Sequence, residues 1–244
     1  MTKNVMAAIA VLGLTVGMSA GVHATELIIN GGFEDTTSGA GQMGYNTDAT
    51  GWTTSGYNFI FTSGSADTTG VPGQYGNLEL WGPGNGSNNG LPASSPAGGN
   101  YVGADGAFQV GAISQTINGL TPGQYYAVSF DWAGAQQSGF NGVTTEDWLV
   151  SLGSDTESTP ILTDPNNGFT GWQQQTLGFT ADSSSEVLSF LAQGTPDGEP
   201  PFSLLDNVSM VATPEPSPLV AMFVGALVLG AVSFRRFRTK KSIA

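Results

Sequence analysis

Between residues 25 and 213 the sequence contains no Lys, Arg, His or Cys. All of the chain's 19 Asp and Glu residues except Glu215 lie in this same stretch. A fold built from it has neither a salt bridge nor a disulfide bond available, so apolar burial and hydrogen bonds must supply its stability. The carboxylates repel one another with no basic side chain to neutralise them. A bound divalent cation would therefore offset part of that repulsion.

The missing side chains also exclude several kinds of chemistry. Without His or Cys this stretch cannot form a Ser-His-Asp or Cys-His nucleophile pair or a His/Cys zinc site. Without Arg it has no guanidinium to hold a phosphate, and its negative charge repels nucleic acid. Carboxylates, hydroxyls, amides and aromatic rings remain. These groups suit Ca²⁺ binding, sugar binding or glycoside hydrolysis by two carboxylates.

The spacing of apolar residues predicts an all-β fold. Gly, Ser, Thr and Asn separate short apolar runs, and no convincing amphipathic helix is present. The clearest strand is residues 124–132, where alternate positions share one face that we assign to the core: Tyr126, Val128, Phe130 and Trp132.

Nine or ten short strands are predicted in total. The remaining strand segments are residues 26–30, 57–62, 77–81, 101–103, 108–117, 147–152, 172–180, 186–192 and 204–211. Turn-forming residues separate them, as between residues 117 and 124. This arrangement favours a single β-sandwich or jelly roll over residues 25–212.

Residues 1–24 have the pattern of a secretory signal peptide. Lys3 is the single early charge, and residues 5–18 are apolar and rich in small side chains. Val22-His23-Ala24 fits a small-x-small cleavage site, so we predict cleavage after Ala24 and an exported protein.

Residues 213–244 form a three-part C-terminal segment. A proline-rich start is followed by an uncharged apolar run at residues 219–234 and a basic cluster at residues 235–241. As a transmembrane helix the apolar run would be roughly 24 Å long, against a hydrocarbon core of ~30 Å, and snorkelling arginines can cover part of the deficit. The basic end is expected on the cytoplasmic side.

This order of parts resembles the PEP-CTERM sorting signal of Gram-negative bacteria. The residues that carry the resemblance are Pro214, Glu215 and Pro216, followed by the apolar run and the basic end at Arg235 and Arg236. The resemblance implies processing by an exosortase-type membrane enzyme and an association with exopolysaccharide and the cell surface. The alternative is an ordinary C-terminal membrane anchor.

Two segments at opposite ends of the body resemble the galactose-binding-like jelly roll of many carbohydrate-binding modules. They are residues 30–34 (NGGFE), with Gly51-Trp52 after them, and residues 204–208 (LLDNV); residues 119–131 match the hairpin of the same family. The resemblance implies a structural Ca²⁺ held by Glu34 and Asp206. Alternatively, Glu34 is a surface residue and Asp206 accepts loop N–H bonds.

The loop at residues 82–100 is too polar for a core and too long for a simple hairpin, so it is either functional or mobile. Trp81 borders it and is the best candidate for a platform on which a sugar ring stacks. The loop amides that can bond sugar hydroxyls are Asn85, Asn88 and Asn89. Trp52 and Trp132 are instead assigned to the core.

The carboxylate pairs give no clear catalytic site. Glu146 and Asp147 are adjacent and would point to opposite faces of a strand. Asp105 and Asp164 look like turn residues, and neither belongs to an EF-hand pattern. A hydrolase or lyase acting on glycans is therefore ranked last, and no catalytic residue is assigned.

The leading hypothesis is an exported, non-enzymatic protein of the cell surface or extracellular matrix of a Gram-negative bacterium. An inner-membrane intermediate would be processed by an exosortase-type enzyme, and the folded domain would associate with extracellular polysaccharide. The alternative is a purely structural, acidic matrix or biofilm component that acts through divalent cations.

Overall fold

A computed structural model describes residues 25–213. This part of the chain is all-β, with one short 3₁₀ turn at Pro83–Asn85. Its strands are β1 (Gly41–Gln42), β2 (Thr53–Thr54), β3 (Asn58–Phe61), β4 (Val71–Gly73), β5 (Gly76–Leu78), β6 (Tyr101–Asp105), β7 (Ile113–Asn118), β8 (Tyr125–Gln136), β9 (Thr144–Leu152), β10 (Asp155–Ser158), β11 (Leu162–Asp164), β12 (Gln173–Thr180), β13 (Ser185–Thr195) and β14 (Pro201–Ala212).

The strands form two antiparallel sheets that pack face to face. The first sheet has the order β1-β3-β6-β14-β8-β12. The second has the order β10-β9-β13-β7-β2, with β11 paired to the free part of β9. A separate hairpin, β4-β5, lies outside both sheets. The prediction of an all-β sandwich is confirmed.

The main core lies between the two sheets. Tyr126, Val128, Phe130 and Trp132 of β8 are all buried in it, which confirms the assignment of that face. Trp52 is also in this core, as expected. Side chains alternate between the two faces along β8, so the intervening residues point to the other face of the sheet. This two-residue period is the one expected for a strand in a two-layer sandwich.

A second apolar cluster lies on the outer face of the first sheet. Phe59 and Phe61 of β3 point to this face, whereas Ile60 between them points to the main core. Residues 62–100 cover the cluster with a few apolar anchors: Ala66, Val71, Leu78, Leu80 and Leu91. The first sheet is therefore buried on both faces. The segment that covers its outer face is largely polar and contributes these few apolar side chains to the cluster.

Residues 26–30 do not form the predicted first strand. The N–H groups of Leu27 and Ile28 are bonded to the Glu26 carboxylate. The N–H of Ile29 donates to Gln115 Oε1 at 2.8 Å, and Gln115 Nε2 donates to the Ile29 carbonyl at 2.9 Å. Side chains thus replace most of the ladder bonds that a strand needs.

The other strand predictions differ mainly in their limits. Residues 77–81 contribute only the end of β5, with Leu80 in an isolated bridge to Gln137. The strand predicted at 124–132 continues to Gln136, and the one predicted at 147–152 begins at Thr144. The described residues hold more strands than the nine or ten expected, because several strands of two to four residues have too little alternation to be seen in sequence.

The signal peptide, its cleavage at Ala24 and the C-terminal segment from Pro214 onward lie outside the described residues. Within residues 25–213, the chain forms no helix of the length and apolar character that a membrane span requires.

Candidate functional site

A pocket of about 270 Å³ opens at the end of the sandwich where β6 and β8 end and β14 begins. We call it the aromatic pocket. It is built by connections and strand ends from five parts of the chain: Tyr57, Tyr75, Asp105, Ala107, Phe108, Gln137, Phe140, Asp197, Gly198 and Pro200.

Three aromatic rings form one wall of the aromatic pocket. Tyr57 meets Phe108 edge to face, with ring centroids 5.3 Å apart, and Tyr75 meets Phe108 at 5.8 Å. Tyr57 is buried, whereas Tyr75 is 64% exposed and Phe108 is 43% exposed. The pocket therefore has a fixed aromatic floor and a solvent-facing aromatic rim, and such a rim can stack on an apolar ligand face.

Asp105 supplies the polar group of this pocket. Its side chain is 1% exposed, and its Oδ1 accepts hydrogen bonds from the N–H groups of Ala107 and Phe108 at 2.8 and 3.0 Å. Its Oδ2 is buried without a partner. Burial raises the pKa of Asp105 to about 6; the two N–H donors oppose this rise and Asp197 adds to it. Oδ2 is thus a strong hydrogen-bond acceptor for which the described residues provide no donor.

A chain of side-chain amides fixes the rim. Gln109 Nε2 donates to the Tyr75 hydroxyl at 2.8 Å, and Gln74 Nε2 donates to Gln109 Oε1 at 2.7 Å. The same glutamines line a smaller polar depression of about 190 Å³ that also contains Tyr45. Gln109 therefore links the two cavities, since it lines the depression and is bonded to a rim residue of the aromatic pocket.

The residues predicted from sequence to bind sugar lie outside the aromatic pocket. Trp81 is half-buried, and its indole N–H donates to the Phe140 carbonyl at 2.7 Å. Asn85 and Asn89 donate to loop carbonyls, and Asn88 is exposed. None of the four lines the aromatic pocket. Trp81 instead supports the loop that carries Phe140.

The residues that do line the aromatic pocket come from separate strand ends and turns. No short sequence pattern joins Tyr57, Tyr75 and Phe108, because they come from three connections that only the tertiary structure brings together. Asp105 follows the turn chemistry expected from sequence by accepting bonds from the N–H groups two and three residues on. Its position after a buried strand was the one local signal of a functional carboxylate.

Glu34 and Asp206 are brought together, as the second resemblance implied. Asp206 on β14 is fully buried; its Oδ2 accepts a hydrogen bond from Ser95, and its Oδ1 has no partner. Burial raises the pKa of Asp206 to about 7, and Glu34 and Asp131 contribute to that rise. Glu34 is exposed and accepts a bond from the Asn100 N–H at 2.8 Å.

The donor set at Glu34 and Asp206 fits a calcium ion. A buried, unpartnered carboxylate oxygen lies near a second carboxylate, and the residues described provide no basic side chain to neutralise either one. Groups of three or more acidic, His or Cys side chains do not converge anywhere in residues 25–213. Backbone carbonyls and water would therefore have to complete the coordination shell.

The fold and these cavities define a β-sandwich protein with a pocket at one end of its sheets. The chain belongs to the family described as "Protein of unknown function (DUF642)", whose model matches residues 84–211. The matched part includes Asp105, Phe108 and Asp206, and it begins after Glu34 and Tyr75.

Several solved structures resemble the fold of this chain at low sequence identity. The carbohydrate-binding module TmCBM61, solved with β-1,4-galactotriose, is 14% identical, with 78% of this chain and 100% of that chain covered and a TM-score of 0.43. The CBM22-1 xylan-binding domain of Paenibacillus barcinonensis Xyn10C is 11% identical, with 79% and 97% covered and a TM-score of 0.39.

The K1 cleaved adhesin domain of Lys-gingipain from Porphyromonas gingivalis is 12% identical, with 75% of this chain and 96% of that chain covered and a TM-score of 0.42. No curated protein sequence matches the chain. At these identities and TM-scores the likenesses carry no functional weight.

Proposed function

We propose that this protein is a non-enzymatic carbohydrate-binding protein with a jelly-roll domain, and that its sugar site is the aromatic pocket. The observation that carries the proposal is the pair of exposed rings, Tyr75 and Phe108, on a pocket that the Asp105 and Asp197 carboxyls also line. A sugar ring stacks its apolar face on the rim and donates hydroxyls to the carboxyls that line the pocket. Trp81 acts as a positioning residue through its bond to Phe140.

The charge of the pocket favours a neutral glycan. Asp105 and Asp197 both line it, and the formal net charge of the chain is −13. Sugars rich in carboxylate or sulfate would be repelled, whereas hydroxyls of neutral sugars are donors that these carboxylates accept. Neutral galactans and xylans are accordingly the first ligands to test.

A glycan array followed by calorimetry on the full-length protein tests the proposal. Tyr75→Ala and Phe108→Ala should each weaken binding about tenfold, because each removes a stacking surface at little cost to the fold. Tyr125→Ala is the matched control, since Tyr125 is also exposed but lies at the start of β8, away from the pocket. Unchanged affinity in both rim variants would refute the assignment of the site.

Glycoside hydrolysis is the second candidate, and the observation that favours it is the pair of carboxyls in one pocket. Asp105, with its raised pKa, would be the acid and Asp197 the second carboxylate. Release of reducing sugar from a broad polysaccharide panel, abolished by Asp105→Asn, would establish it. Binding without any release supports the non-enzymatic assignment.

We also infer that the protein is exported and sorted to the cell surface or extracellular matrix of a Gram-negative bacterium. The support is the signal-peptide pattern before Ala24 and the three-part segment that begins with Pro214-Glu215-Pro216. An exosortase-type enzyme would process it at the membrane. Deletion of residues 219–234 should abolish that processing. A mature protein of unchanged size and fractionation would argue against a sorting signal.

Calcium at Glu34 and Asp206 is the structural part of the proposal. Replacing both residues by Ala should lower the melting temperature more in calcium than in chelator, where only the bonds from Ser95 and Asn100 are lost. An equal drop in chelator would indicate ordinary hydrogen bonding instead. Calcium binding without any glycan on the array would favour the alternative role, an acidic matrix component that acts through divalent cations.

A further inference from the structure

We propose a second divalent-cation site, suited to Ca²⁺ and formed by Glu146 and Asp164, in the interior of the sandwich. It is separate from the site at Glu34 and Asp206. Glu146 lies on β9 and Asp164 ends β11, the short strand paired to it. The proposal does not depend on carbohydrate binding.

The strand register places both carboxylates on the inner face of the second sheet. Glu146 pairs with Leu162, and Thr144 pairs with Asp164. Residues two apart on a strand share a face, so Thr144, Glu146 and Asp164 point the same way. Farther along β9 that face carries Trp148, which lies in the main core. The acidic pair is therefore directed between the sheets.

All four oxygens of the pair are buried without a hydrogen-bond partner. Glu146 and Asp164 are both 0% exposed. Glu146 Oε1 and Oε2 and Asp164 Oδ1 and Oδ2 have no hydrogen-bond donor. Burying one unpaired carboxylate already costs several kcal/mol. Residues 25–213 contain no Lys, Arg or His that could compensate.

A third oxygen-bearing side chain lies buried on the same face. Thr144 Oγ1 is fully buried and has no partner in hydrogen-bonding geometry. It is nevertheless close enough to Glu146 to oppose part of the effect of burial on that carboxyl. An ordinary apolar core would have Val or Ile at this position. Thr144 instead places a hydroxyl on the same face as the two unpartnered carboxylates.

Glycines clear the space opposite the two carboxylates. A Cβ on Gly134 of β8 would meet Glu146 Oε2 at 2.6 Å. A Cβ on Gly168, in the turn after β11, would collide with Asp164 Oδ1. Any larger residue at either position would displace a carboxylate. Both glycines therefore leave room for the acidic side chains where the core would otherwise be filled.

Oxygen-only donors select a hard cation. Carboxylates and a hydroxyl suit Ca²⁺, whereas zinc and copper sites in proteins draw on His or Cys. The chemical alternative is protonation: burial raises the pKa of Glu146 to about 8 and that of Asp164 to about 7. A divalent cation is the alternative partner, because carboxylates and a hydroxyl can share it as ligands without any donor.

The site would also stiffen the aromatic pocket. The turn that follows Asp164 holds the β8–β9 connection, since Gly142 N–H donates to Asn166 Oδ1 at 2.6 Å and Asn167 N–H donates to Gln136 Oε1 at 2.9 Å. That connection carries Phe140, which lines the pocket. This consequence rests on the proposed function, whereas the ion site itself does not.

The test uses the full-length protein, freed of metal with chelator and titrated with CaCl₂ by calorimetry. The Glu34→Gln/Asp206→Asn variant retains only the interior site and should still bind one Ca²⁺. Its melting temperature should rise by about 5–10 °C at 100 times the dissociation constant. This measurement leaves the buried interior pair unaltered. Absence of calcium binding in this variant would overturn the proposal.

The reciprocal variant, Glu146→Gln/Asp164→Asn, should bind one Ca²⁺ fewer than the wild type. Asp155→Asn/Glu157→Gln, on neighbouring β10 where neither residue is buried, is the matched control and should bind as the wild type does. Near-UV circular dichroism checks that the interior variant is folded. A folded interior variant with wild-type stoichiometry would show that the pair holds protons and not a metal ion.

Discussion

The two acidic sites of this protein differ in how the surrounding chain satisfies them. Asp206 keeps one oxygen bonded to Ser95, and its neighbour Glu34 is exposed to solvent and bonded to a backbone N–H. Glu146 and Asp164 have no partner for any oxygen and no exposure.

The outer site can persist without an ion, because water and hydroxyls stabilise part of its charge. The interior pair has no such substitute and requires either an ion or protons. Site occupancy should therefore affect stability more strongly at the interior pair than at Asp206, and the predictions below test that ranking.

The largest effect is expected from Gly134→Ala. The added Cβ overlaps Glu146 Oε2, and overpacking of this kind costs about 1–3 kcal/mol before any loss of metal is counted. We expect a melting temperature about 5–10 °C lower in calcium and a much smaller calcium-dependent rise. A variant that keeps the wild-type calcium response would show that occupancy of the interior pair does not affect stability more than occupancy of the outer site.

Ser95→Ala should have an intermediate effect at the outer site. It leaves Asp206 Oδ2 buried without a donor, which costs about 1–3 kcal/mol and lowers the melting temperature by about 3–6 °C. Ser94→Ala is the control, since Ser94 bonds only the side chain of Ser63. If Ser95→Ala and Ser94→Ala have the same melting temperature, the Ser95 hydroxyl does not stabilise the fold. The two acidic sites would then differ less than their hydrogen bonds indicate.

Asp105 is a further buried carboxyl, outside both ion sites and with one of its two oxygens hydrogen-bonded, and it gives a pH prediction. Its pKa is about 6 in the fold and ~3.9 in an unfolded chain, with Asp197 and Tyr57 beside it. The folded state holds the proton more tightly, so this contribution to stability is full below pH ~4 and is lost as pH rises through 6.

Asp105→Asn removes that proton linkage. The melting temperature of Asp105→Asn minus that of the wild type should therefore rise by about 5–9 °C between pH 4 and pH 7, measured in chelator to exclude metal. A difference that stays constant with pH would mean that Asp105 titrates normally. In glycan binding, the wild type should also be weaker at pH 5 than at pH 7.5, because an ionised acceptor bonds hydroxyls more strongly.

Gly32→Ala should change least. A Cβ there would lie 3.8 Å from both Asp206 Oδ1 and the Glu34 side chain, which is ordinary contact. We expect a melting temperature within about 1–2 °C of the wild type and an unaltered calcium response. A drop as large as that of Gly134→Ala would show that the outer site is packed as tightly as the interior one.

Local patterns predicted the parts of the fold that depend on local alternation. The two-residue period along β8 identified its buried face, and the turn residues on either side marked its start. The hydrogen bonds of residues 26–30 could not be predicted from local patterns, because they depend on Gln115, which is distant in sequence. The bond of Trp81 to Phe140 was hidden for a similar reason, since Phe140 lies in another connection.

Asp164 shows most clearly why a site can escape sequence reasoning. Asp164-Pro165-Asn166-Asn167-Gly168 has the composition of a surface turn, yet Asp164 is completely buried. Its direction follows from its pairing with Thr144, and no feature of the turn itself specifies that register. Glu146 was considered only with adjacent Asp147, although its neighbour in space is eighteen residues farther along the chain.

The sequence by itself determined that any buried carboxylate in this domain would lack a basic partner, because Lys, Arg and His are absent from residues 25–213. It also determined the all-β class, through alternation and turn chemistry. Only the tertiary structure decided which carboxylates are buried and which of them meet. Strand register, and the glycines that leave space opposite Glu146 and Asp164, are non-local properties of the folded sheets.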